Sequence, residues 1–172
     1  MKELSKDEVI KSLKEAGNYN NNRLKERIAK ANYCYSLKLE SPSFLFELVF
    51  HYHQNSRILT PTRWWGGGRL YTMAAVLERM EKENMTFKAL SEGVIKGDYL
   101  PDFFRPCYDM QNAFSYEKCG TLVLCPLKVS EKLDCPDAMF RVIDGMHRAL
   151  TLAYLIKKDP DFWQPIDAFI LH

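Results

Sequence analysis

Five consecutive residues, Asp144-Gly145-Met146-His147-Arg148, combine a carboxylate, a glycine and two basic side chains in one short turn. That set could bind a phosphate and help transfer it. His147 and Arg148 would hold the anion, Gly145 would let the backbone approach it, and Asp144 would hold Mg²⁺ or take a proton from a substrate hydroxyl. Phosphoryl transfer asks the protein mainly for positioning and charge neutralisation. The same residues also make an ordinary tight turn, because Asp-Gly is good turn chemistry and two cations beside it could be merely solvated.

The flanking residues decide how these groups are presented. Met139 to Ile143 is β-prone, and Ala149 through Ile156 carries an apolar stripe at helical spacing, so the five residues should link a strand to a helix. His147 and Arg148 then fall in the first helical turn, where free N–H groups and the helix dipole favour an anion. A second glycine-rich segment, Trp64-Trp65-Gly66-Gly67-Gly68-Arg69, precedes the clearest helix, Leu70 to Glu83. It lacks the spacing of a Walker loop.

Asp-Gly-Met-His-Arg between strand and helix resembles the phosphate-binding turn of the ParB/sulfiredoxin superfamily, in which Asp-Gly-x-His-Arg, Gly-Glu-Arg-Arg and Gly-Cys-His-Arg variants occur. The order of elements is also similar. Arg57 to Pro61 looks like the opening strand, Leu70 to Glu83 the first helix, Thr121 to Val129 the second strand and Gln164 to Leu171 the closing strand. The resemblance implies an α/β (α+β) fold with a small mixed sheet, a nucleotide-binding domain at 57–172 with an irregular insertion at 84–118, and an N-terminal helical segment at 1–56 packed on it.

By that resemblance, Gly145, Met146, His147 and Arg148, together with Arg63, Gly67, Gly68 and Arg69, would bind nucleotide phosphates. Asp144 and His147 would be catalytic, with Asp144 also a Mg²⁺ ligand. The nearest members are kinases of free serine, whose motif is Asp-Gly-His-His-Arg. Those kinases place a glutamate after the opening strand, whereas Thr60 to Arg69 holds no acid. Met146 stands where sulfiredoxins carry their nucleophilic cysteine, and a thioether cannot replace a thiolate. No helix-turn-helix segment follows the domain, so chromosome partition is not expected.

The expected function is therefore an ATP- or ADP-dependent phosphotransferase, with CTP as a further nucleotide, acting on a hydroxyl-bearing small molecule or modified nucleotide. The alternative is a non-catalytic ParB-like module that binds DNA or serves as a nucleotide switch, of the kind a phage or mobile element encodes.

Composition narrows the remaining classes. The chain has 172 residues, 47% hydrophobic and 13% aromatic, which suits one folded domain and excludes disorder. No apolar run approaches a membrane span and the first residues lack a signal-like apolar stretch, so cytoplasm is the expected location. Five cysteines with no C-x-x-C pair argue against a disulfide framework and a zinc ribbon. A net charge of +2 gives no chain-wide field for a polyanion, so nucleic-acid binding would need a local patch such as Arg23, Lys25, Arg27 and Lys30.

Near the N-terminus, Ser5-Lys-Asp-Glu8 is a capping box for a first helix that Gly17 would end. Asn18 to Asn22 is a polar turn. Leu24, Ile28 and Ala31 mark a second helix, and Ser41-Pro42 starts a third, although Phe44 to Tyr52 also alternates like a strand. His51 and His53 would share a strand face but lack a third metal ligand.

Overall fold

A computed structural model describes residues 1–19, 21–49, 70–93, 100–130, 132 and 135–172. Among these residues the chain forms eight α-helices and one five-stranded mixed sheet. The strands are β1 (Lys2–Leu4), β2 (Cys34–Leu39), β3 (Leu122–Pro126), β4 (Phe140–Asp144) and β5 (Ile166–Leu171), in the order β1-β2-β5-β3-β4. Among the five described strands only the β3–β5 pairing is parallel, with Val123 opposite Phe169. The other pairings are antiparallel.

Alternation along the inner strands sends side chains to two layers, as a pleated strand must. Leu122, Leu124, Ile166, Ala168 and Ile170 face one core cluster, and Val123, Phe169 and Leu171 face another. The second face is covered by α1 (Lys6–Glu15) and α2 (Asn22–Lys30) through Val9, Leu13, Leu24 and Ile28. The first face carries α3 (Pro42–Glu47), α4 (Met73–Lys82), α5 (Phe87–Ser91), α6 (Leu100–Gln111), α7 (Tyr116–Cys119) and α8 (Met146–Lys158). The sheet is thus the middle of three layers.

Local chemistry accounts for the helix starts. Ser5 and Glu8 close the expected capping box. Thr72 caps α4 through Ala75 N, and Ser41 with Pro42 opens α3. Gly17 has φ 70°, ending α1 in the left-handed region that glycine adopts without strain.

Two features differ from the expected layout. The 1–56 segment is not only helical, because β1 and β2 lie in it and β2 pairs with the closing strand β5 over its whole length. The 84–118 insertion, expected to be irregular, holds α5, α6 and most of α7. The residues expected to form the opening strand, 57–61, lie outside the described residues, as do His51 and His53.

Candidate functional site

Strand β4 ends at Asp144, Gly145 turns with φ 88° and ψ 19°, and α8 begins at Met146. The strand, turn and helix expected around the five-residue motif are all present. Gly145 is the N-cap and provides no side chain, and α8 has no acid in its first turn. Its N-terminal N–H groups therefore keep their positive end of the dipole without a local side-chain cap.

Arg148 turns inward rather than out to solvent. Nη2 donates to Asp144 Oδ2 at 2.8 Å, Nη1 donates to the Cys119 carbonyl, and the Thr121 carbonyl lies 3.5 Å from Nη1. The guanidinium passes between two glycines. A Cβ on Gly145 would stand 2.8 Å from Nη2 and 2.7 Å from Leu122 Cδ2, and one on Gly120 would stand 3.1 Å from Nη1. Arg148 and Asp144 are 13% and 21% exposed, so the pair ties the start of β3 to the start of α8 while keeping one edge in the cleft.

His147 faces α6. Its ring lies 4.8 Å from that of Phe103, and Nε2 is buried without a hydrogen-bond partner. Burial pushes its pKa below the ordinary 6.5, so the imidazole is neutral at pH 7 and adds no positive charge. Burial also raises the Asp144 carboxyl above its ordinary value, against the opposing pull of Arg148. One turn farther along α8, Thr151 packs near Cys107, whose buried thiol is pushed up to about 12 and is inert.

Asp144, Gly145, Met146, His147 and Arg148 line one wall of a cleft of about 550 Å³. The opposite wall is Gly17, Asn18 and Asn21 from the turn between α1 and α2, and Met110 of α6 closes the side. Asn21 is the N-cap of α2, its Oδ1 accepting from Arg23 N at 2.9 Å. Two helix N-termini, those of α2 and α8, thus meet at one cavity. The sequence marks Asn18 to Asn22 only as a polar turn, and nothing in it says that this turn faces residue 145. Pairing across a sheet of five strands brings the two together.

The cleft contains peptide N–H groups, two amide side chains and one carboxylate with an oxygen outside the Arg148 bond, a set suited to phosphate and one hydrated cation. Among the described residues no three His, Cys, Asp or Glu side chains gather as a metal centre. Arg63, Gly67, Gly68 and Arg69 lie outside the described residues, as do Trp64 and Trp65. Among the described residues, no helix is long and apolar enough to cross a membrane. Compared with known proteins, the chain matches no family model, no curated protein and no solved structure.

Proposed function

We propose that the cleft at the start of α8 binds the phosphates of a nucleotide, and that the chain is a ParB/sulfiredoxin-like phosphotransferase. ATP or ADP is the donor, Mg²⁺ its counterion, and a hydroxyl-bearing small molecule or modified nucleotide the acceptor. The observation that carries this reading is the meeting of two helix N-termini, one without a side-chain cap, in a cavity of about 550 Å³ beside Asp144.

Each residue has a role in it. Backbone N–H groups of the 145–147 turn take phosphate oxygens, and Asn18 and Asn21 donate from the facing wall. Asp144 offers its second oxygen to Mg²⁺ or to the acceptor hydroxyl. A carboxyl raised by burial is a better general base than a solvated one. Arg148 acts mainly on Asp144, holding it in place and balancing its charge.

A second reading, a nucleotide switch without chemistry, is favoured by the Asp144–Arg148 pair itself. A phosphate in the cleft competes with Asp144 for the guanidinium, so ligand binding would rearrange the junction of β4 and α8. The two readings part on turnover. The experiment is a binding panel of ATP, ADP, CTP and GTP with Mg²⁺, followed by product analysis with hydroxyl acceptors. Transfer supports the enzyme, binding without transfer supports the switch, and no binding removes both.

A further inference from the structure

Gly120 lies outside the five-residue motif and does not line the cleft, yet residues from both of the cleft's walls press against it. It is the C-cap of α7, two residues before β3, with φ 58° and ψ −166°, a backbone conformation essentially confined to glycine. A Cβ here would stand 2.8 Å from Asn18 Nδ2 and 3.1 Å from Arg148 Nη1. Asn18 comes from the turn between α1 and α2, Arg148 comes from α8, and both line the cleft. The two atoms nearest Gly120 are thus nitrogen donors brought together from opposite layers. Donors that converge call for an acceptor in front of them, and a phosphate oxygen is one.

The two side chains are held differently. Arg148 is tied on both nitrogens, Nη2 donating to Asp144 and Nη1 to the Cys119 carbonyl next to Gly120. Asn18 is tied through its backbone, whose N–H donates to the Leu13 carbonyl at 2.8 Å. Among the described residues its side-chain amide has no hydrogen-bond partner. Its place is therefore set by packing, and the close neighbour is Gly120.

We propose that Gly120 is a positioning residue of the phosphate site. Its missing side chain lets the Asn18 amide settle close to the Arg148 guanidinium, which aims a donor across the cleft at a ligand held by the 145–147 turn. This rests on the phosphate-binding reading of the cleft. Any side chain at position 120 comes too close to Asn18 Nδ2, and of the two neighbours the amide yields, because the guanidinium is bonded in place.

The test is a double-mutant cycle, read by isothermal titration of ATP, ADP, CTP and GTP with Mg²⁺ into wild type, Gly120→Ala, Asn18→Ala and the double variant. Melting temperature is followed in parallel. Gly120→Ala should weaken the nucleotide that binds wild type about ten-fold, as the loss of one hydrogen bond to a charged group requires, but less than about two-fold where Asn18 is already alanine. Backbone strain should lower the melting temperature equally in the two backgrounds, a cost that a merely structural role would also show. Equal affinity losses in the two backgrounds overturn the proposal. If Gly120→Ala does not fold, Asn18→Gln carries the test. It keeps the amide and the backbone bond to Leu13 but adds a methylene, so the amide no longer fits beside Gly120. It should melt like wild type and lose as much affinity as Asn18→Ala, and full affinity in Asn18→Gln overturns the proposal. Either contrary result, with nucleotide still bound, removes the positioning role alone. No binding of any nucleotide to wild type removes the phosphate reading and this role with it.

Discussion

Arg148 holds the fold together at the edge of the cleft. Its sequence position suggests a free cation for phosphate, but the side chain is committed to Asp144 and to the carbonyls of Cys119 and Thr121. Truncation leaves a half-buried carboxylate unpaired, the costly way to break such a pair. Arg148→Ala should therefore lower unfolding free energy by about 3 kcal/mol in urea titrations. Unchanged stability would mean that the guanidinium serves the cleft alone. His147 makes a pH prediction. Its folded pKa is depressed, so in the window below 6.5 the folded state binds fewer protons than the unfolded chain, and stability falls as pH drops through that window. Asp144, raised in the folded state, contributes with the opposite slope, losing stability as pH rises above its ordinary value. The difference between wild type and His147→Gln isolates the histidine. Wild type should lose more melting temperature from pH 7.5 to 5.5, and parallel pH profiles would contradict the buried neutral imidazole.

At the level of elements, the turn into α8 depends on the one residue type that tolerates φ 88°. Gly145→Ala adds a Cβ that meets Leu122 and Arg148 and strains the backbone besides, and should destabilise by about 2 kcal/mol in the same titration. A neutral outcome would show that the turn relaxes and that its geometry is not fixed by the Arg148 pair. This strand, turn and helix are legible in the sequence because period and turn chemistry agree there. So are α1, from its capping box, and α3, where Ser41 and Pro42 outweigh the alternation that follows. Strand β2 is not. Its Cys34 and Leu39 ends are buried and the residues between are mostly half-buried, so neither periodicity stands out. In the insertion, Pro101 and Pro106 suggest breaks, yet Pro101 sits in the first turn of α6, where its missing N–H costs nothing, and the helix continues through Pro106. The far wall of the cleft was illegible for a different reason. Asn18 and Asn21 are about 125 residues from Gly145 in sequence, and only tertiary pairing sets them opposite it.

For the whole molecule, the three-layer arrangement makes the site a junction. Helix α2 lies on one face of the sheet and α8 on the other, and the cleft opens where their N-termini pass the end of β4. Neither layer forms the cleft alone, so the proposed phosphate binding depends on the N-terminal segment as firmly as on the five-residue motif. Asn21→Asp tests that arrangement with little disturbance of the fold, because aspartate caps a helix as well as asparagine does while placing a negative charge in the cavity wall. The most direct measurement is isothermal titration of ATP, ADP, CTP and GTP with Mg²⁺ into wild type and Asn21→Asp, with melting temperature as the control. The account predicts that at least one nucleotide binds wild type, that the variant binds it about ten-fold more weakly, and that both melt alike. No binding of any nucleotide, or equal affinity in the two proteins, would contradict a phosphate site between α2 and α8.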